Sequence, residues 1–299
     1  MDGIKAPSII LKEKIDKNDY DAVKSLEKIC VEKDNVSFKL ELEYKLNNSS
    51  EASGMGIAVN DFMFYDESDL KGYIGINDFG GDALEVNGMV HPEYRNRGIF
   101  TKLFSLVNDE WLKRKQLKML MLSDHNSASG IEFIKNMCGE YDHSEYDMIL
   151  NMDVKQAEPH NVKLREAVKN DYEEIARQDR IYFEIEKDDV QNIEQKYDDN
   201  NGSFTYMAEA GNQIIGKVRI EMIDRVGGIY GLGVLPEHRS NGFGREVLIS
   251  AIKRLKENGA HKIMLQVEVN NKNALSLYKS CGFEENYVMD YYRISKNQV

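Results

Sequence analysis

Apolar residues recur along the chain in two rhythms, one helical and one alternating. Between residues 243 and 258, Phe243, Val247, Leu248, Ala251, Ile252 and Leu255 fall at helical spacing, with Arg245, Glu246, Lys253, Arg254 and Lys256 opposite. That pattern predicts an amphipathic helix. In the first half, the same reading predicts a strand near 9–14 and a helix over 19–32. Strands near 56–65, 71–77 and 84–90 come next, then a helix from 98 to about 115, a strand at 118–122, a helix at 127–137 and a strand near 146–152. The second half repeats the order: a strand at 162–166, a helix at 171–180, strands at 204–209, 213–222 and 229–235, and the helix from 243. A strand at 262–269, a helix at 274–281 and a strand at 287–294 complete it. Strands and helices mixed around a mostly antiparallel meander predict an α+β fold, formed twice.

The repetition is visible residue by residue. Val90-His91-Pro92-Glu93-Tyr94-Arg95-Asn96-Arg97-Gly98 echoes Val234-Leu235-Pro236-Glu237-His238-Arg239-Ser240-Asn241-Gly242 at valine, proline, glutamate, arginine and glycine. Lys17-Asn18-Asp19-Tyr20 matches Lys169-Asn170-Asp171-Tyr172, and Asn126 to Phe133 keeps the step of Asn271 to Tyr278. The chain therefore reads as a tandem duplication. It comprises an N-terminal domain over 1–155 and a C-terminal domain over 156–299, joined by a polar hinge at 153–160 that contains Pro159.

The stretch from Gly231 to Gly244 carries the chemistry. A short apolar strand turns through a glycine-spaced loop straight into the helix at 243. The first turn of a helix has backbone N–H groups without partners and the positive end of the macrodipole, which suits an anion. Gly242 and Gly244 let the main chain approach a diphosphate without a Cβ in the way, and Arg239 adds a donor at the loop mouth.

The spacing Val234-x-Pro236-x-x-Arg239-x-x-Gly242-x-Gly244 resembles the acyl-CoA pyrophosphate loop of the GNAT superfamily of N-acyltransferases. A second segment, Asn271-x-x-Ala274-x-x-Leu277-Tyr278-x-x-x-Gly282-Phe283, resembles that family's later strand–helix motif in the same order. The resemblance implies two GNAT-like domains in an arrangement like that of mycothiol synthase. It implies acetyl-CoA as co-substrate, bound by Leu232, Gly233, Val234, Arg239, Ser240, Asn241, Gly242, Phe243, Gly244, Arg245, Asn271 and Tyr278. It further implies a splayed strand pair in which the Val234 N–H stabilises an oxyanion, and Tyr278 as the acid that protonates the departing thiolate. Where some relatives place a glutamate base this chain has Gln266, which takes no proton. Glu268, two residues on and on the same strand face, is the candidate base, with Glu221 and a water relay as the other routes.

The first copy departs from the pattern twice: Phe100 stands at the second loop glycine and Phe133 at the tyrosine. Phenylalanine donates no proton, so the working site is expected at 231–283, with the first copy structural or substrate-presenting. Gly211 to Lys217 spells most of a Walker A loop, but Val218 replaces the Ser/Thr and the residues after Lys217 alternate like a strand, so no phosphate-binding loop is expected there.

Composition bounds the rest. With 299 residues, 41% of them hydrophobic, the chain can bury two cores, and a net charge of −12 with a pI near 5.1 argues against nucleic acid or an anionic membrane as partner. The acidic excess is uneven, net −9 over 1–155 against −3 over 156–299. Cys30, Cys138 and Cys281 show no metal-ligand or disulfide spacing, so no metal is expected. No run of about 18 apolar residues occurs, and a soluble, cytoplasmic protein is expected. Together these features predict an N-acetyltransferase that moves an acetyl group from acetyl-CoA to a primary amine of a small molecule or peptide. A non-catalytic acetyl-CoA sensor or partner-docking module is the alternative. Acceptor choice is assigned to the weakly patterned segments 38–52 and 183–201.

Overall fold

The computed structural model describes residues 4–47, 58–79, 81–154, 161–183 and 202–296. They form two compact units: residues 1–144 with 287–299, and residues 145–286. Both are α+β.

In the first unit, β1 (Pro7–Lys12), β2 (Asp61–Asp66), β3 (Asp69–Asn77) and β4 (Ala83–Val90) pair antiparallel in sequence order. β5 (Lys118–Asp124) then runs parallel to β4. Helix α1 (Lys17–Asp34) starts at Asp16, whose carboxylate accepts from the Asp19 N–H while the Asp19 carboxylate accepts from the Asp16 N–H. It buries Val23, Leu26 and Cys30 against one sheet face. The short α2 (Leu42–Asn47) comes after it, an element with no legible sequence pattern. On the other face, α3 (Ile99–Leu112) and α4 (Ala128–Asn136) cover Ile74, Val86 and Met121 with Leu103, Val107 and Trp111.

The second unit repeats the plan. β7 (Val162–Glu166), β8 (Ser203–Ala210), β9 (Gln213–Ile223) and β10 (Val226–Val234) pair antiparallel, and β11 (Lys262–Glu268) runs parallel to β10. α5 (Tyr172–Phe183) lies on one face. On the other, α6 (Phe243–Glu257) and α7 (Lys272–Ser280) pack, α6 burying Val247, Leu248, Ala251, Ile252 and Leu255 against Ile215, Ile229, Ile263 and Leu265. The residues the pattern placed on the buried side of the helix at 243 are thus the core of this unit.

Each unit is completed by a strand from the other half of the sequence. Residues Met148, Asp147 and Tyr146 of β6 (Glu140–Leu150) pair with Leu265, Gln266 and Val267 of β11. Tyr291 and Tyr292 of β12 (Phe283–Ser295) pair with Leu122 and Met121 of β5. The compact units therefore depart from a division at 155/156. The alternation of apolar residues identifies a strand, but it does not identify the edge that the strand joins. The proposed hinge at 153–160 lies mostly outside the described residues, as do 48–52 of the segment 38–52 and all of 183–201 but its first residue. Among the described residues no helix is long and apolar enough to cross a membrane, and no group of three His, Cys, Asp or Glu side chains is placed to hold a metal.

Candidate active site

Two structural differences separate the copies at corresponding places. In the first unit, β4 pairs with β3 without interruption, from Ile76 opposite Val86 to Gly72 opposite Val90. In the second, the register shifts between Tyr230 and Gly233, so that Ile220 faces Ile229 and Gly216 faces Val234. The second copy has one residue more in its strand, and the excess forms a β-bulge at Gly231–Leu232. Gly231 has φ +54°, a conformation that favours glycine, and a Cβ on Gly233 would sit 2.1 Å from the Tyr182 ring.

Past the bulge, the strand end frees a donor. The Leu235 N–H donates to the Ile215 carbonyl at 2.8 Å. Backbone groups alternate along a strand, so the Val234 N–H points the other way, to the side where β11 has parted from β10. Parallel pairing there ends at Ile229 and Leu265. The Val234 carbonyl accepts from Arg239 Nε at 2.9 Å, so Arg239 braces the loop with one nitrogen before any ligand arrives.

The loop itself is open. Ser240 and Gly242 have φ of +65° and +80°, which turns successive amides to one side as an anion-binding concavity. Among the described residues no acceptor receives the amides of Asn241, Gly242, Phe243 or Gly244. The Asn241 side chain folds back onto the His238 and Arg239 carbonyls at 3.3 and 3.2 Å. Among the described residues nothing lies within 4 Å of the Cβ position of Gly242, and at Gly244 only Leu277 Cδ2 at 3.5 Å and Val234 Cγ2 at 3.9 Å do so. A diphosphate fits such a cradle. Arg245 is not one of its donors: its N–H bonds the Gly242 carbonyl at 3.0 Å, and its guanidinium holds Ser280 Oγ at 2.6 Å.

The remaining sequence candidates surround this cradle unequally. Asn271 caps α7 by accepting from the Ala274 N–H at 3.1 Å. Tyr278 is 9% exposed, and its hydroxyl bonds no described group while still reaching open space. Burial pushes its phenol above the ordinary tyrosine range. Gln266 and Glu268 leave the sheet on the face opposite Leu265 and Val267, which lie in the core. Glu268 is exposed and opposite Glu145 of β6, whereas Gln266 is opposite the buried Asp147. Glu221, half-buried, is opposite Gly228 and Ser203.

One cluster lies outside the sequence candidates. Lys217 is 4% exposed, and its Nζ lies 2.7 Å from Asp179 Oδ1 on α5 and 3.4 Å from the Cβ position of Gly231. Tyr182, one turn on from Gln178, donates its hydroxyl to Gln178 Oε1 at 2.9 Å and lays its ring on Gly233. Lys217 belongs to the segment that imitates a Walker loop, which folds as β9. The signal that could have found it is a lysine inside the apolar run 214–220.

The first copy keeps a cavity of about 260 Å³ between β4 and β5, lined by Asn87, Phe100, Met121, Asp124 and Phe133 among others. It differs from the second copy at the corresponding places. β4 has no bulge, and Phe100 and Phe133 stack edge to face at 4.7 Å where the second copy has Gly244 and Tyr278. Arg95 is held by both oxygens of Asp34 and by the Val90 carbonyl.

The sequence profile of the acetyltransferase (GNAT) family matches residues 165–283. Among curated proteins, the chain is 25% identical over 224 residues to the mycothiol acetyltransferase of Pseudarthrobacter chlorophenolicus, spanning 67% of this chain and 66% of that one. It is 27% identical over 259 residues to the mycothiol acetyltransferase of Saccharomonospora viridis, spanning 78% and 79%. Among solved structures, a GCN5-related N-acetyltransferase from Sphaerobacter thermophilus superposes with a TM-score of 0.75 at 17% identity, covering 96% of each chain, which is a likeness of fold.

Proposed function

We propose, for a chain whose residues 165–283 match the acetyltransferase (GNAT) family, that the second unit transfers an acetyl group from acetyl-CoA to a primary amine by direct attack in a ternary complex. The observation that carries this reading is the set of unengaged amides from Asn241 to Gly244, opening beside the freed Val234 N–H.

The loop amides bind the diphosphate, and the parted strands β10 and β11 admit the arm that carries the thioester. The Val234 N–H bonds the thioester oxygen as negative charge grows there, a contribution of about 3 kcal/mol for one well-placed donor. As the amine nitrogen forms its bond to the carbonyl carbon and the carbon–sulfur bond breaks, Tyr278 gives its proton to the sulfur and regains one from solvent. Glu268 removes the proton lost by the amine, through water given its exposure. The products are an amide and free CoA, and the charges balance. The acceptor is a small molecule or peptide bearing a primary amine.

Acetyl-CoA at micromolar concentration is expected to raise the melting temperature of the protein. Gly244→Glu sets a carboxylate against the diphosphate at a residue with ordinary backbone angles and is expected to abolish the rise; Gly242→Glu, at φ +80°, is expected to do the same. Equal protection of wild type and both variants removes the cofactor assignment. Thiol release across a panel of amines then separates an enzyme from a sensor, since a sensor binds without turnover.

A further inference from the structure

The bulge needs an explanation of its own. A strand that has gained a residue can relax toward several registers, and an oxyanion donor is useful only when its direction is fixed. Two contacts press on the bulge and its flank from the α5 side: the Tyr182 ring on Gly233 and the Lys217 ammonium at Gly231, which Asp179 holds at 2.7 Å. The side chains of Lys217 and Asp179 are 5% and 17% exposed. A buried ion pair is a poor device for stability alone, because desolvation of two charges offsets most of their attraction.

The molecule supplies its own comparison. At the position of Lys217 in the repeat, the first copy has Tyr73, a core residue whose hydroxyl donates to Asp61 at 2.6 Å, and there β4 runs without a bulge. The first copy has a buried ion pair of its own, Lys45 with Asp61 at 2.7 Å, but it meets β3 at Tyr73 and Gly75 and no charged side chain stands at the position of Lys217; the lysine in the strand and the bulge beside it occur together in the second copy.

We propose that Lys217, anchored by Asp179, is a positioning residue that clamps the bulge at Gly231 so that the Val234 N–H faces the thioester oxygen. Lys217 touches neither substrate; it acts through the main chain of β10. The inference rests on the acetyl-transfer reading above. It places the specific failure of a Lys217 variant in carbonyl polarisation and leaves diphosphate binding, which belongs to the amides of 241–244, intact.

The test uses the full chain and acetyl-CoA labelled with ¹³C at the acetyl carbonyl, read by isotope-edited infrared spectroscopy alongside calorimetric binding. In wild type the bound carbonyl band is expected below its position in free acetyl-CoA. In Lys217→Met the band is expected to return toward the free value while the dissociation constant changes by less than about threefold, and thiol release with an accepted amine falls roughly tenfold to a hundredfold in kcat with little change in KM. Lys217→Arg, which keeps the charge, is expected to restore part of the band shift. Should Lys217→Met fail to fold, Asp179→Asn, which loosens the anchor and keeps the ammonium, carries the same expectation. A shifted wild-type band left unmoved in both Lys217→Met and Asp179→Asn overturns the inference, as does an unshifted band in a wild type that binds. Absence of acetyl-CoA binding in wild type removes the parent reading and this one with it.

Discussion

A phenol that protonates a leaving thiolate must keep its proton until the carbon–sulfur bond breaks. Tyr278 is suited to this because burial raises its pKa, so it stays protonated at pH values where an exposed tyrosine begins to ionise. Tyr278→Phe is therefore expected to lower kcat by about 10²-fold or more, with acetyl-CoA binding unchanged. The alkaline limb of the wild-type rate profile is expected above pH 10, beyond the ordinary tyrosine value, and absent from the variant. Steady-state kinetics at graded pH check both; unchanged turnover returns Tyr278 to the core, where its ring lies 6.1 Å from that of Phe283. Other residues are legible from sequence only in part. Gly242, Gly244 and Asn271 stand where their spacing places them, because a helix start constrains residue type locally. Arg245 differs from its expected role, since its side chain is claimed by Ser280, a partner 35 positions away.

Elements are legible where one face is apolar and the other polar. Helix α6 spans Phe243–Glu257, within a residue of the predicted end, and β7 lies at Val162–Glu166 as predicted. The bulge is not legible, because an extra residue in a glycine-rich strand leaves the apolar alternation no clear phase. Nor is α2, a six-residue helix too short to show a periodic face. The start of α5 supports a pH prediction. Asp171 accepts from Arg165 at 2.8 and 3.0 Å and from the Val168 N–H at 2.8 Å, and Glu209 accepts from the same guanidinium. The hydrogen bonds from Arg165, the strongest influence on it, hold the Asp171 carboxyl below the usual range. A depressed pKa contributes stability that is present above the unfolded value near 4 and lost as pH falls through the folded value. Asp171→Asn is expected to lower the melting temperature at pH 7 and to flatten its decline below pH 4, as followed by scanning calorimetry; an unchanged acid slope would place the acid sensitivity elsewhere.

At the scale of the molecule, the duplication is readable because the two loops repeat at fixed distance, while the exchange of final strands is not. Residues 287–295 close the sheet of the first unit beside β5, burying Tyr292 and Ile294 in its core. A chain ending at residue 282 is therefore expected to lose the first unit, although it removes none of residues 1–144. Hydrogen exchange is expected to show β3 and β4 unprotected in that truncation, and addition of a peptide spanning 283–299 to restore protection. Persistent protection without the peptide would show that the first unit closes unaided. The same expectation holds for a fragment ending at 155, which keeps β6 but lacks the neighbour of β5.

Synthesis on a ribosome runs from one end of the chain to the other, and β12 leaves the exit tunnel well after β5, with the second unit between them. The sheet of the first unit waits until residues 145–286 have been made before its seam with β12 can form. During that interval the edge of β5, with Met121 and Leu122 along it, faces whatever else is present in the cell, so nascent chains of this protein are a natural client for a chaperone that shields strand edges.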